Sequence, residues 1–203
     1  METNKRRART LWMVQTAILT AIIILMAFTP IGYIKTAGLE ITLIMIPVAV
    51  GAILMGPGTG ALLGTIFGIT SFIQCFGFSA FGAVLLELNP IYTFILTIVP
   101  RVLMGWLVGL IFRALHRIDK TNFISFAVAS LSGAVLNTVL FIGGLFLLFG
   151  NTEYIRGWGP TWPAIFAIIA GINALLEAAI SLVAGTAVTK ALYRIRRDSF
   201  STH

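Results

Sequence analysis

Charged residues are scarce in this chain, and that scarcity excludes an ordinary soluble protein. Only 10% of the 203 residues are charged and 58% are hydrophobic, and the mean hydropathy is +0.99. A typical soluble domain is about 25% charged. Several apolar stretches reach or approach the ~20 residues that a helix needs to cross a bilayer. We therefore expect an all-α membrane protein, formed as a single domain over residues 1–203, since no linker or low-complexity tract divides the chain.

Cysteine and histidine are also rare, which limits the chemistry open to the chain. Cys75 is the single cysteine, so an internal disulfide and a cysteine-based metal cluster are excluded. The two histidines, His116 and His203, fall near the expected cytoplasmic face and at the terminus. No His–Glu metal motif, serine–histidine pair or aspartate pair lies within the apolar stretches. We expect no metal, no cofactor and no catalysis in this chain.

Acidic residues are half as frequent as basic ones, 7 against 14, and the basic ones are unevenly placed. Lysine and arginine are dense in 1–10, 113–120 and 190–197 but sparse in 30–40 and 150–163. Because cytoplasmic loops of membrane proteins are enriched in these residues, the net charge of +7 indicates topology and not nucleic-acid binding. The pattern predicts a bundle of six transmembrane helices with both termini in the cytoplasm. The expected helices are residues 11–29, 41–56, 61–76, 91–113, 123–149 and 164–189.

Proline and glycine shape the early helices. Pro47 is expected to interrupt the second helix, at a break that neighbouring helices can tolerate. The GPGTG run at 56–60 favours a tight turn, because a phosphate-binding loop would need a preceding strand and a following lysine. Ala61, Gly64 and Gly68 form a small-residue face, which lets another helix approach closely.

Arg101 is the residue of the sequence that most needs an explanation, because it is a charged residue near the middle of a long apolar stretch. An arginine at membrane depth is costly unless it meets a partner or a water-filled cavity. At 1.5 Å per residue, Arg101 lies ~15 Å from the outer end of its helix, with Asn173 at ~14 Å and Asn137 at ~18 Å in theirs. Glu177 follows Asn173 by one turn on the same face. Gln74 lies at a shallower depth, near the end of the third helix.

These polar residues predict a cavity in the outer half of one bundle. Intramembrane polar residues are functional candidates by default. Arginine binds carboxylate through paired hydrogen bonds, so Arg101 with its amide neighbours suits a small polar molecule that carries an anionic group. The alternative is purely structural: an Arg101–Glu177 ion pair, with the amides joining neighbouring helices.

Aromatic residues of the expected outer loops are the remaining site candidates. Tyr33 belongs to loop 30–40, which is either a lid or an ordinary wet loop. Trp158 and Trp162 belong to loop 150–163. Tryptophans in such positions mark the membrane interface, or alternatively stack against a substrate.

The chain resembles a known family of membrane proteins. Ala17 and Ala21 form a small-residue strip in helix 1 behind a basic N-terminus. The run at 38–77, GLEITLIMIPVAVGAILMGPGTGALLGTIFGITSFIQCFG, joins two helices by a Gly-Pro turn. With six helices and a length near 200 residues, these features resemble the substrate-binding S-component of energy-coupling factor (ECF) vitamin transporters. ITSFIQCFG and LNPIYTFILTIVPRVLMGW are most similar to the pantothenate-specific members.

The resemblance implies a division of labour between subunits. An S-component captures a vitamin from outside a prokaryotic cell and has no ATPase activity. It docks on a membrane T-component that carries two cytosolic ATP-binding-cassette subunits, where ATP and Mg²⁺ act. The resemblance further implies that Ala17 and Ala21 contact the T-component, whereas the residues alone favour ordinary packing inside the bundle. It also implies a ligand site in the outer half. We expect Arg101, Asn137, Asn173, Gln74, Glu177, Tyr33 and Trp158 to form that site.

Several alternatives stay open at the level of sequence. The vitamin could be pantothenate, or a pyridoxine or hydroxymethylpyrimidine type of precursor. A membrane scaffold without transport function is a further reading, in which the Arg101–Glu177 pair only holds the bundle together. Glu177 fits an anionic ligand poorly, because a bare carboxylate would repel it, so Glu177 is expected to orient Arg101 or to accept a hydrogen bond from a hydroxyl group.

Overall fold

Helices make up nearly all of the described chain. The computed structural model describes residues 2–30, 32–35, 40–119, 123–157 and 174–201. In chain order the first elements are α1 Glu2–Ala27, β1 Tyr33–Lys35, β2 Glu40–Thr42, α2 Met45–Met55, α3 Pro57–Gln74, α4 Ala80–Leu88, α5 Pro90–His116, α6 Ile124–Phe149 and α7 Glu153–Arg156. A last helix, α8, covers the described residues 174–201 and contains a π-helical turn at Ser181–Gly185.

Four helices of the described chain are long and apolar enough to cross a membrane. They are Lys5–Ala27, Pro90–His116, Ile124–Phe149 and Ala174–Tyr193. Met45–Met55 is a shorter apolar helix. The chain is therefore a helical, multi-pass membrane protein, as its composition predicts. The expected count of six spans and the cytoplasmic position of both termini stay predictions.

The connection after α1 contains a small antiparallel hairpin, which the expectation of an all-α protein overlooks. β1 and β2 pair with Tyr33 opposite Thr42 and Lys35 opposite Glu40. The second helix, expected from residue 41, begins only at Met45. The β-branched Ile34, Ile41 and Thr42 favour extended backbone over helix, and hydropathy alone cannot make that distinction.

Two further boundaries differ from those expected around α2 and α3. Pro47 does not interrupt α2; it lies in the first turn, where its missing N–H would have no helical partner anyway. The turn between the helices consists of Gly56 alone, whose φ of 98° favours glycine. α3 then begins at Pro57, a common first residue of helices. The GPGTG turn expected at 56–60 was therefore too long.

α3 and α5 lie in backbone contact along their glycines. A Cβ atom at Gly60 would come within 2.2 Å of the Gly105 carbonyl oxygen, and one at Gly105 within 2.1 Å of the Gly60 oxygen. A Cβ at Gly64 would lie 2.2 Å from the Arg101 oxygen, and one at Gly68 2.7 Å from the Ile98 Cα. The small-residue face expected on this helix is confirmed at Gly64 and Gly68. This face lets α3 and α5 approach each other more closely than larger side chains would allow.

A short helix, α4, fills the connection that was expected to be irregular between residues 77 and 90. Ser79 caps its start by accepting a hydrogen bond from the Gly82 amide at 3.3 Å. Asn89 caps α5 next, accepting from the Ile91 and Tyr92 amides, each at 3.1 Å. These caps fix where α5 begins, and so fix the depth of the residues along it.

The two ends of the bundle are defined by contacts between helix termini. At one end, which we call the hairpin end, Gln74 donates to the Ala27 carbonyl oxygen, so that α3 and α1 end together. At the other, which we call the His116 end, the His116 ring nitrogens lie 3.5 Å from Ser125 Oγ and 3.5 Å from the Tyr193 hydroxyl. α5, α6 and α8 therefore meet there.

The apolar core lies between α1, α2, α3, α5 and α6. Its fully buried members include Ile23, Val48, Phe67, Met104 and Phe126, one from each of these helices. Many large apolar side chains lie outside this core and are exposed, for example Ile91, with an exposed fraction of 70%, and Leu147, with 82%. An apolar exterior of this kind is the surface expected of a helix bundle in lipid.

Candidate functional site

Arg101 is held in α5 by a gap that the preceding proline opens in the helix. Pro100 lies inside α5 and has no N–H. The carbonyl four residues earlier, that of Leu96, therefore lacks its usual helical donor. Arg101 Nη1 donates to the Leu96 oxygen at 2.9 Å and fills this gap. The sequence Pro-Arg thus directs the guanidinium back along its own helix towards the hairpin end.

Two aromatic rings from neighbouring helices contact the Arg101 guanidinium. Its Cζ lies 4.6 Å from the ring centroid of Phe141 on α6 and 5.5 Å from that of Phe67 on α3. Cations over aromatic faces at such distances are stabilised by about 0.5–2 kcal/mol, with the larger value in desolvated sites. The Arg101 backbone is also fixed, because its carbonyl oxygen lies against Gly64. Arg101 is therefore placed between α3 and α6 at mid-helix.

Aromatic rings continue from Arg101 towards the hairpin end, in a series that we call the aromatic column. It consists of Phe141, Phe81 and Tyr154. The Phe141 and Phe81 centroids are 6.5 Å apart, and those of Phe81 and Tyr154 are 6.4 Å apart. Phe81 and Tyr154 are both only partly buried. The column links the charged group at mid-span to α4 and α7.

Asn137 lies one helical turn before Phe141 on α6, and hence on the same face. It is 7% exposed, and its Oδ1 has no hydrogen-bond partner among the described residues. A buried acceptor without a donor costs about 1–3 kcal/mol. The arrangement therefore favours a donor from a bound molecule at this position.

Glu177 contacts the hairpin. Its Oε1 accepts a hydrogen bond from the Thr42 amide at 2.6 Å, and the residue is 6% exposed. Arg101 is near enough to act electrostatically on this carboxylate. The sequence predicts that Glu177 lies near Arg101 at membrane depth. The structure shows in addition that Glu177 is hydrogen-bonded to β2.

Gln74 contacts a neighbouring helix end. Its Nε2 donates to the Ala27 carbonyl, and the residue is 6% exposed. This hydrogen bond satisfies one of the carbonyls that every helix leaves open at its C-terminus. The expected contact between Gln74 and a substrate stays a prediction.

Four of the site candidates lie, wholly or in their side chains, outside what the structure describes. Asn173 and Trp158 lie outside the described residues, as does Trp162. Tyr33 begins β1, and its side chain is likewise outside what the structure describes. Their roles stay predictions.

Ala17 and Ala21 lie on a different surface, in an open groove between α1 and α3. Both are exposed. The groove has a volume of about 450 Å³. Its lining is almost wholly apolar and consists of Trp12, Met13, Thr16, Ala17, Thr20, Ala21, Ile24, Leu62 and Ile66. In the described structure, neither Arg101 nor Asn137 is among these residues, so the groove is separate from the polar site.

The residues that the sequence reasoning missed are the neighbours of Arg101. Pro100 was detectable, because a proline directly before a mid-helix arginine frees a carbonyl for it. Phe67 and Phe141 were not detectable, because both helices are apolar around most of their circumference and hydropathy does not fix which face meets Arg101.

Fold and site together define a helical membrane protein with an arginine-centred polar site among aromatic rings. The chain belongs to the family of ECF transporter substrate-specific components, whose family model matches residues 12–188. It is 29% identical to the pantothenic acid transporter PanT of Lactococcus lactis subsp. cremoris over 167 residues, 78% of this chain and 80% of that protein. It is 31% identical to the pantothenate transporter PanT of Leuconostoc mesenteroides subsp. mesenteroides over 194 residues, 86% of this chain and 92% of that protein.

Proposed function

We propose that this chain captures pantothenate for an ATP-driven importer in the plasma membrane of a bacterium. The observation that carries the proposal is Arg101, a cation at mid-span whose guanidinium lies 4.6 Å from the Phe141 ring centroid. The names of two relatives that match most of the chain support the choice of pantothenate. The chain itself is proposed to be non-catalytic and to hold no cofactor.

The chemistry of pantothenate fits the site from end to end. Its carboxylate pairs with Arg101, which offers several N–H groups in one plane. Its amide N–H and hydroxyl groups are donors of the kind that the buried Asn137 Oδ1 accepts. The dimethyl group of the ligand packs on the rings of Phe81 and Tyr154, the outer members of the aromatic column. Asn173 and Trp158 are proposed to complete the site.

The site opens, in this proposal, on the outer side of the membrane. Basic residues cluster at the His116 end. Arg113 and Arg117 lie at the end of α5, Lys190 of α8 has its Nζ 4.9 Å from the ring centroid of Phe123 at the start of α6, and residues 5–9 lie in the first turns of α1. Such clusters face the cytoplasm. The hairpin end then faces the outside of the cell. We propose that the chain forms a single bundle of six spans with both termini in the cytoplasm.

The partners are proposed from the family. An ECF substrate-specific component works with a membrane T-component and two ATPase subunits, in which ATP and Mg²⁺ are used. Ala17 and Ala21 line an open, apolar groove on α1. A transmembrane helix of the T-component fits such a surface, because association in lipid depends on close van der Waals packing at small residues.

A thermal-stability panel tests this proposal against its alternatives. The purified protein is melted with pantothenate, with pyridoxine and with hydroxymethylpyrimidine. A ligand at about 100 times its Kd stabilises by ~2.7 kcal/mol, and we expect this response for pantothenate alone. A response to another vitamin instead would change the substrate. No response to any of the three would favour a scaffold.

A further inference from the structure

β2 presents an open edge towards α8. The Leu43 amide, directly after β2, donates to the Gly32 carbonyl at 3.0 Å, on the side of β1. Neighbouring amides of an extended strand point to opposite sides. The Thr42 amide therefore points away from β1. An amide at a strand edge needs a partner wherever water is excluded.

Glu177 supplies that partner. Its Oε1 lies 2.6 Å from the Thr42 nitrogen, although 135 residues separate them in sequence. Glu177 lies within the candidate span Ala174–Tyr193 and is 6% exposed. A carboxylate at such a depth is costly by itself, and a hydrogen bond from an amide to an ionised carboxylate is stronger than one between neutral groups. The hydrogen bond therefore offsets the cost of burying the Thr42 amide and that of burying the Glu177 carboxylate.

We propose that Glu177 is a positioning residue that anchors the β1–β2 hairpin to α8 and thereby slows release of the substrate. The anchoring stands on the described geometry alone. The effect on release rests on the proposed function, since it needs pantothenate in the site. The hairpin follows α1 directly, at the end of the bundle towards which the aromatic column runs. An anchored hairpin restricts the space through which a ligand of Arg101 leaves.

Two other roles for Glu177 make different predictions. If Glu177 only balanced the charge of Arg101, alanine and glutamine at this position would behave alike, because both remove the charge. If Glu177 contacted only the substrate, neither change would affect the hairpin in the absence of ligand. Anchoring predicts a graded result, because glutamine keeps a carbonyl oxygen where Oε1 accepts the Thr42 amide.

Hydrogen exchange of the ligand-free protein tests the anchor. The exchange of the amides in residues 40–43 is followed by mass spectrometry for wild type, Glu177→Ala and Glu177→Gln. We expect exchange to be about 10-fold faster or more in Glu177→Ala, as for loss of one hydrogen bond to a charged group, with Glu177→Gln close to wild type. Glu153→Ala is the matched control. It removes an exposed carboxylate from α7, and the exchange should not change.

A second variant removes the donor and leaves the carboxylate intact. Thr42→Pro deletes the N–H that Glu177 accepts, at an edge position where proline is tolerated because the ladder does not use that amide. We expect faster exchange of the Leu43 amide, and we expect both this variant and Glu177→Ala to release pantothenate about 10-fold faster than wild type. This variant also decides the question if Glu177→Ala does not fold.

The outcomes separate the parts of the proposal. Unchanged exchange in both Glu177→Ala and Thr42→Pro overturns the anchor, and so does equal acceleration in the alanine and glutamine variants. Faster exchange with an unchanged release rate overturns the effect on release and leaves the anchor. If wild-type protein fails to bind pantothenate, the proposed function fails, while the exchange measurements still decide the anchor.

Discussion

At the scale of single residues, Pro100 determines what Arg101 can do. In the wild type, Arg101 Nη1 donates to the Leu96 carbonyl at 2.9 Å. Replacing Pro100 with alanine supplies a backbone N–H to the same carbonyl and displaces Arg101 Nη1 from it. We expect Pro100→Ala to melt at a higher temperature than wild type, because proline inside a helix costs about 3 kcal/mol. We expect it to bind pantothenate about 10-fold more weakly, because the guanidinium loses one anchoring hydrogen bond.

Pro47→Ala is the matched control for this prediction. Pro47 lies in the first turn of α2, where no helical hydrogen bond is missing, so the affinity should stay at the wild-type value. Melting curves and isothermal titration of both variants provide the comparison. Equal affinities in Pro100→Ala and wild type would show that the Leu96 contact does not position Arg101.

Asn137 offers a second prediction at this scale, on the balance between stability and binding. Its Oδ1 is buried without a partner among the described residues. Asn137→Leu replaces it with an apolar side chain of similar size, and we expect the ligand-free protein to gain about 1 kcal/mol or more. Pantothenate affinity should fall, since the ligand loses an acceptor. A variant that is destabilised and still binds normally would place a structural partner at Asn137 instead.

At the scale of helices, the packing of α3 on α5 places the site. A Cβ atom at Gly64 would lie 2.2 Å from the Arg101 carbonyl oxygen. Gly64→Ala must therefore push α5 away, at a cost of about 1–3 kcal/mol for overpacking, and it should weaken pantothenate binding through the shift of Arg101. Gly143→Ala is the control, because a Cβ there meets nothing within 4 Å. It should be neutral or slightly stabilising, since alanine favours helix over glycine.

Thermal melting and pantothenate titration of the two glycine variants test whether the contact between α3 and α5 positions Arg101. If Gly64→Ala retains wild-type stability and affinity, α3 and α5 have room to adjust and their contact does not control the site.

Long helices were predictable from the sequence, whereas their rotations and the hairpin were not. Hydropathy located α5 and α6 to within a few residues, as for α6, expected at 123–149 and found at Ile124–Phe149, whereas α1, expected from residue 11, begins at Glu2. It also singled out Arg101, because charge is rare at that depth. It could not find the Phe141 contact, which depends on the rotation of α6, or the Thr42 amide, which depends on a strand edge formed by residues distant from Glu177.

At the scale of the whole molecule, the α1–α3 groove should determine assembly and not capture. Tryptophan at both Ala17 and Ala21 fills the groove that these residues line. We expect the double variant to lose association with the T-component in a pull-down and to lose uptake in cells. Its pantothenate affinity in isolation should remain that of wild type, because the groove is separate from Arg101.

Ile18→Trp with Leu25→Trp is the matched control for docking. These residues are 55% and 65% exposed on the same helix and do not line the groove. The control should assemble normally. Assembly of the Ala17 and Ala21 variant, together with lost pantothenate binding, would instead place this face of α1 inside the working bundle.

Arg101 is proposed to receive the carboxylate of pantothenate, and a cycle of protein and ligand changes measures this contact. Wild type and Arg101→Ala are each titrated with pantothenate and with pantothenol, which has a hydroxymethyl group in place of the carboxylate. Wild type should prefer pantothenate by about 10-fold to 100-fold, the value of a hydrogen bond to a charged group. Arg101→Ala should bind both ligands weakly and without preference. A preference for pantothenate that survives in Arg101→Ala would show that another residue, and not Arg101, holds the carboxylate.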